Sequence, residues 1–331
     1  MYVLKKIPED FVVEEIANPD VKGSGPYLLL RVTKRSRNTE EVAGLLAKAF
    51  RVPRKAIGYA GAKDRKALTT QYFTIKGKKA VKGEKTENVG VTIETLGYVE
   101  EPFALGLHTG NRFTITVRNL DGNEDLSLPR TVPNYFDEQR FSSDNARIGE
   151  ALLKKRFLEA ARIIAMDDGP KVREHLATHP NDAVGALMAV PRQLLRLYLH
   201  AYQSLLWNRA LARSIKGERK VPYSLGEFVF PPRDTALSPI AIPLPGFSTA
   251  DDPLLAPILK KEGLTPRDFV IRQLPNLSLE GVERAAFMDV KEFSASAFED
   301  DEIFPGKKKT LLRFTLGKGS YATMLVKAMF A

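Results

Sequence analysis

The sequence predicts an α+β fold: a mixed, mostly antiparallel sheet interrupted by a mainly helical block. Three observations carry that expectation. Short apolar runs with strand-like alternation fill roughly the first 120 of 331 residues. Long amphipathic stretches with helical spacing begin after Phe141. Strand-like runs return after Glu280, so the C-terminal part is expected to complete the first sheet around an inserted domain. The expected boundaries are 1–145 and 285–331 for the two parts of the sheet domain and 146–284 for the insertion.

The elements follow in order. Residues 8–16 (PEDFVVEEI) and 27–32 read as strands. Asn38 and Glu41 form a capping box, and Val42, Leu45, Leu46 and Ala49 have helical spacing up to a stop before Pro53. Residues 57–60 and 71–75 are β-prone, as are 89–99 and 112–120. The Lys- and Gly-rich stretch 77–90 is expected to be a solvated turn. Residues 145–166 are expected to form one long amphipathic helix, and 192–215 another, with Leu194, Tyr198, Ala201 and Leu205 as its core stripe and Trp207 packed nearby. Pro-rich punctuation spans 222–257 around a short SLGEFVF strand. Residues 286–295, 310–316 and 320–330 read as the returning strands.

Composition narrows the function. Hydrophobic residues at 44% and charged residues at 27% match an ordinary globular chain. No apolar run is long enough for a membrane span, and MYVLKKIPEDF lacks the core of a secretory signal, so a cytoplasmic protein is expected. Cysteine is absent, which excludes disulfides, thiol catalysis and thiolate metal sites. Of four histidines only His175 and His179 have ligand-like spacing, and Pro180 after them suggests a helix end instead. No metal or nucleotide cofactor is expected, because phosphate-loop, dinucleotide, G-x-S-x-G and H-E-x-x-H patterns are all missing.

Lys and Arg number 50 against 40 Asp and Glu, a net charge of +10, which points to a polyanionic partner. The cations cluster: Lys34, Arg35 and Arg37; Arg51, Arg54 and Lys55; Lys76, Lys78, Lys79, Lys82 and Lys85; Lys154, Lys155 and Arg156; Lys307, Lys308 and Lys309. Any one such run is commonly a solvated face, but several along one basic chain favour a nucleic acid. The acidic run 299–302 reads as a solvated loop.

One segment stands out chemically. Residues 58–71, GYAGAKDRKALTTQ, put Asp64 between Lys63 and Arg65 on a tight loop between β-prone stretches. A rigid scaffold can hold such a carboxylate in place, and the flanking cations favour its charged form. It can then serve as nucleophile or general base. Taken alone, a K-D-R triplet is more often a solvated loop with a weak ion pair.

GYAGAKDRKALTTQ closely resembles the signature of the TruD family of tRNA pseudouridine synthases. PEDFVVEE at 8–15, GNRFTITVR at 110–118, PNYFDEQRF at 133–141 and GSYATMLVK at 319–327 resemble further motifs of that family, in the family's order over nearly the whole chain. The resemblance implies a pseudouridine synthase catalytic domain interrupted by a TRUD insertion domain. It implies isomerisation of uridine to pseudouridine, usually at position 13 of tRNA, with tRNA as partner.

Residue by residue, Asp64 matches the catalytic aspartate and Phe11 an aromatic lining the site. Asn134 and Phe136 match contacts to the target base, and Tyr321 matches an aromatic of the C-terminal motif. Lys63 and Arg65 are assigned electrostatic roles in substrate binding on physical grounds. Asp137 and Ser142 stand where glycines are common in the family, which makes the backbone there a question for the structure. Two other functions compete. One is a non-catalytic RNA-binding or RNA-folding protein on the same scaffold. The other is an unrelated acid–base hydrolase, which requires a second carboxylate, Glu14 or Glu15, beside Asp64.

Overall fold

The computed structural model describes residues 1–79, 83–88, 90–104, 106–142, 144–167, 169–217, 219–249 and 251–330. Lys82 and position 89, the start of the stretch 89–99, lie outside the described residues. In chain order the regular elements begin with β1 (Phe11–Ile16), β2 (Tyr27–Arg35), α1 (Thr39–Ala49), β3 (Ile57–Tyr59), β4 (Leu68–Lys76), β5 (Lys85–Asn88), β6 (Val91–Val99) and β7 (Gly110–Leu120). A helical stretch follows, with α2 (Asn145–Leu153), α3 (Phe157–Asp167), α4 (Pro170–Thr178), α5 (Ala183–Met188) and α6 (Arg192–Ser214). Then come β8 (Arg219–Tyr223), β9 (Gly226–Phe230), β10 (Ala241–Leu244), α7 (Ala256–Lys261) and β11 (Val282–Ala285). The chain closes with β12 (Val290–Ala295), β13 (Glu299–Asp300), β14 (Lys308–Gly317) and α8 (Ala322–Phe330).

The chain divides into two compact units. The first holds Met1–Leu128, Asp289–Ala322 and Phe330; the second holds Pro129–Met288 and Thr323–Met329. The first unit contains a ten-stranded sheet in the order β12-β14-β7-β1-β4-β2-β6-β5, with β13 on β14 and β3 on β4. Its one parallel pair among the described ladders is β1–β4, in register Val12 to Leu68. The rest are antiparallel, so the fold is α+β with a mostly antiparallel mixed sheet.

On one face of this sheet α1 packs Val42, Ala43 and Leu46 against Leu28, Leu30, Val32, Phe73 and Ile75. Those strand residues are two apart within each strand, as strand geometry requires for one face. The helix starts where its capping box predicts: Glu41 N–H donates to Asn38 Oδ1 at 2.7 Å, and Asn38 N–H to Glu41 Oε2 at 3.3 Å. Further along the buried face, Phe11 meets Phe113 edge-on at 6.2 Å, and Phe113 stacks on Phe314 at 5.4 Å.

The second unit is built on α6. Tyr198, Ala201, Leu205, Trp207 and Leu211 are buried, and Trp207 donates from Nε1 to the carbonyl of Ile242 at 2.9 Å. Leu194, expected in the stripe, is exposed at 37%. It occupies the first turn, before the buried stretch of the helix begins. Gly149 brings α2 close to α6, where an added Cβ would lie 2.0 Å from the Tyr198 carbonyl oxygen. Among the described residues, no helix is long and apolar enough to cross a membrane.

Five local readings change. Residues 145–166 form two helices, because Lys155 takes φ 58° and turns the chain between α2 and α3. The Lys155 ammonium is held by the Asp268 carbonyl at 2.8 Å. The stretch 77–90 contains a strand, β5, paired to β6 in register Lys85 to Glu94. The stretch 286–295 is strand only from Val290.

Residues 322–330, read as strand, are helix. ATMLVKAMF is rich in helix formers, and its apolar residues are buried in the helical pattern of Met324, Leu325, Ala328 and Met329. The acidic run 299–302 is also no loose loop. Asp301 is 4% exposed and pairs with buried Arg118, which also binds Asp10.

Candidate active site

The loop between β3 and β4 presents Asp64. Thr39 Oγ1, at the start of α1, accepts from the Lys63 N–H at 2.9 Å and donates to Gln71 Oε1 at 2.9 Å. Gln71 Nε2 donates to the Gly61 carbonyl at 3.1 Å. Beneath the loop, the buried Lys34 ammonium donates to the carbonyls of Arg37 at 2.6 Å and Asp64 at 2.8 Å, and lies 3.4 Å from that of Lys63. The backbone of the loop is therefore tied to α1, β2 and β4 by groups that those elements hold rigid.

The cation beside the Asp64 carboxylate comes from elsewhere in the chain. Lys5 Nζ is 2.5 Å from Asp64 Oδ2, across 59 residues of sequence. The pair is partly buried, with 20% and 29% side-chain exposure. The same ammonium stands 4.1 Å from the centroid of the Phe11 ring. Topology explains the meeting. β1 and β4 run parallel with Val12 opposite Leu68, so the segments that lead into them lie side by side. Lys5 leads into β1 and Asp64 leads into β4. Lys5 also adopts φ 54°, the left-handed region uncommon for a residue with a side chain.

Lys63, expected beside Asp64, instead sends its ammonium to Glu15 Oε1 at 2.8 Å, with Glu15 fully buried and Lys63 only 8% exposed. The other Glu15 oxygen accepts from the Tyr72 N–H at 2.9 Å. His108 approaches Glu15 at 4.0 Å. Burial first, and the Lys63 charge second, hold the His108 imidazole below its ordinary range, outweighing Glu15. Arg65 is exposed. Tyr321 is half-buried at the entry to α8 and belongs to the first unit.

Asn134 and Phe136 belong to the second unit, where Arg284 joins them. Its guanidinium lies 4.0 Å from the Phe136 ring centroid and donates to the Asn134 carbonyl at 2.8 Å and to Asn134 Oδ1 at 3.0 Å. Asn134 Nδ2 donates to the Ala285 carbonyl at 3.0 Å. An asparagine amide carries two N–H donors and two acceptor lone pairs, so these contacts use one of each. Asn208 brackets the Phe136 backbone, accepting from its N–H at 2.9 Å and donating to its carbonyl at 2.8 Å.

Asp137 answers the glycine question. Its φ of −74° and ψ of 163° are extended backbone, and Ser142 has φ −41°, so neither position needs a glycine. The buried Asp137 carboxylate accepts from Thr323 Oγ1 and Lys327 Nζ of α8.

Sequence reasoning found neither Lys5 nor Arg284. Lys5 stood just ahead of the PEDF motif in plain view, but nothing local linked it to Asp64. Among the described residues, no group of three or more His, Cys, Asp or Glu side chains could hold a metal. His175 instead pairs with Asp182 at 2.9 Å, just after the end of α4 at Thr178.

Comparison with known proteins defines first the class and then the family. The crystal structure of the "Putative tRNA pseudouridine synthase D (TruD)" from Methanosarcina mazei superposes with a TM-score of 0.69 at 27% identity, covering 99% of this chain and 93% of that one. The α+β fold is thus that of a pseudouridine synthase. The family model "tRNA pseudouridine synthase D (TruD)" matches residues 2–175, 166–238 and 236–329. A "Probable tRNA pseudouridine synthase D 2" of Methanocaldococcus jannaschii is 32% identical over 394 residues, covering 99% of this chain and 91% of that protein. A "tRNA pseudouridine synthase D" of Syntrophotalea carbinolica is 30% identical over 388 residues, covering 98% and 94%. The chain belongs to the TruD family of tRNA pseudouridine synthases.

Proposed function

We propose that the protein isomerises uridine to pseudouridine in tRNA, at position 13, with Asp64 as its catalytic carboxylate. The observation that carries this reading is the Lys5–Asp64 pair at 2.5 Å beside the Phe11 ring, with the Asp64 loop hydrogen-bonded at Gly61, Lys63 and Asp64. Family membership and the motif resemblance supply the reaction and the target position.

The reaction breaks the bond between uracil N1 and the ribose C1′, turns the base, and joins C5 to C1′. The proton lost from C5 balances the one gained at N1, so no oxidant and no transferred group are needed. Asp64 acts either on the sugar or base as a nucleophile, or by removing a proton. Lys5 places positive charge against the carboxylate and fixes its direction.

Phe11 and Tyr321 are assigned to hold the detached base by stacking, each base stack being worth roughly 1–3 kcal/mol. Asn134 keeps one N–H and one lone pair for the uracil edge, and Phe136 contributes a further ring. The exposed Arg65 is suited to a phosphate of the flipped nucleotide. Lys63 contributes through Glu15, as an anchor of the loop. In this reading residues 1–145 and 285–331 make the catalytic domain and 146–284 the TRUD insertion, and the protein works in the cytoplasm with its tRNA.

Incubation with unmodified tRNA, followed by mapping of pseudouridine, tests the reading. Wild type is expected to modify uridine 13, and Asp64→Asn to lose isomerisation while binding tRNA nearly as well. A wild type that leaves every uridine unchanged, or an Asp64→Asn variant with full activity, sinks it. Modification at another position removes the target assignment alone.

A further inference from the structure

Lys34 is unusual among the 50 basic residues because it is fully buried. Alternation along β2 puts it on the same face as Leu28, Leu30 and Val32, the row that packs against α1. A lysine at the end of such a row costs desolvation and is retained only where its ammonium is satisfied. Here the partners are main-chain carbonyls. Arg37 O accepts at 2.6 Å, Asp64 O at 2.8 Å, and Lys63 O stands at 3.4 Å. An ammonium has three N–H groups, and three carbonyl oxygens surround it.

We propose that Lys34 is the positioning residue of the Asp64 loop: its buried ammonium gathers the carbonyls of Lys63 and Asp64 and so determines where the Asp64 carboxylate stands. The inference rests on the functional reading above. Lys34 touches neither the Asp64 carboxylate nor, in this reading, the substrate. It acts through the backbone. A hydrogen bond to the carbonyl of the catalytic residue itself leaves only that residue's own torsions between the anchor and the reacting oxygens. The Lys5 pair then selects among them. Two lysines thus divide the work, one holding the main chain and one the carboxylate.

The ammonium state matters because a neutral amine has one N–H fewer and no charge. Burial pushes the Lys34 ammonium down to about 8; the Asp64 carboxylate opposes this, the Lys63 ammonium adds to it, and Glu41 on α1 opposes it. The titration of Lys34 therefore falls where activity can be measured.

The experiment is single-turnover isomerisation of unmodified tRNA by wild type and Lys34→Met, with tRNA affinity measured alongside. Misplacement by about 1 Å costs on the order of 100-fold in rate, so Lys34→Met is expected to lose about 10–100-fold in rate with affinity unchanged within about twofold. In wild type the rate is expected to fall as pH rises through about 8. In Lys34→Met that alkaline limb is expected to be gone, at a lower plateau. A folded Lys34→Met with wild-type rate, or with rate and affinity lost together, overturns the proposal. Should the variant not fold, wild type decides: an alkaline limb near pH 8 with tRNA binding intact supports the proposal, and a flat profile overturns it. A wild type inactive on tRNA sinks the functional reading and this inference with it, whereas an active wild type with an unaffected Lys34→Met sinks the inference alone.

Discussion

Lys34 and Lys5 show how little a residue's identity says without its surroundings. Both are lysines in basic-looking stretches, yet one is sealed under α1 and the other grips a carboxylate. Lys34 carries a stability signature with a definite sign. Its folded pKa of about 8 lies below the ordinary 10.5, so burial penalises its charged form. Between those two values the unfolded chain binds more protons than the folded one, and stability rises with pH across that window. The penalty is fully present below about pH 8 and is relieved towards pH 10.5. Wild type is expected to gain on the order of 3 kcal/mol relative to Lys34→Met over that interval, measured by urea unfolding at each pH. Equal pH dependence in the two proteins would contradict the burial argument. Activity and stability are therefore expected to move in opposite directions above pH 8, as no general alkaline denaturation would have them do.

Between elements, one buried tie in the first unit is made by Arg118 on β7. Its guanidinium donates to Asp10 Oδ1 at 2.9 Å, Asp301 Oδ1 at 2.9 Å and Glu302 Oε1 at 3.0 Å. Asp10 and Asp301 are almost fully buried, so the ion pairs exist at the expense of desolvation. Burial works against the charged Asp301 carboxyl, but donors from Asn119, Ile303, Arg118 and Phe304 outweigh it and hold its pKa below the usual carboxylate range. Hydrogen bonds from Arg118 and Lys309 take Glu302 down to about 2. Both shifts are downward, so their stabilisation is present above the unfolded carboxylate range and is lost as pH falls towards 2. Arg118→Met is expected to destabilise the protein by about 3–5 kcal/mol, because it leaves two buried carboxylates without their cation. A drop in melting temperature of less than a degree or so would show the cluster to be dispensable. Two of the altered fold readings share one cause. The stretches 145–166 and 320–330 have apolar spacing that either a broken or an unbroken helix, or a strand, can use, and the packing partner chooses.

For the whole molecule, the net charge of +10 outlasts a correction to its parts. Among the described residues, several members of the basic clusters that suggested RNA are paired within the protein. Arg35 binds Glu9, Arg54 binds Glu40, Lys154 binds Glu150 and Glu262, and Lys309 binds Glu302. Such surface pairs are weak and salt-sensitive, so an arriving phosphate chain can compete for the same cations. Affinity for tRNA is expected to fall linearly on a log–log plot against salt, by about 10³–10⁵ between 50 and 200 mM if six to ten phosphates are contacted. Asp64→Asn is expected to follow the same line, since it removes a carboxylate and no cation. A binding constant indifferent to salt would rule out the electrostatic footprint.

What the sequence determined by itself was whatever depends on near neighbours. The capping box at Asn38 and Glu41, the β-prone runs of β1 and β2, the alternation of β7, and the ordered motifs around Asp64, Asn134 and Tyr321 are each readable from near neighbours. They were enough for the fold class and the family. The tertiary structure alone decided which polar groups of distant segments meet. Lys5 reaches Asp64 across 59 residues, and Arg284 reaches Asn134 across 150, because strand pairing and packing set those distances. An ion pair between distant segments leaves no local trace: its energy depends on separation in space and on burial, and neither is written in the order of residues.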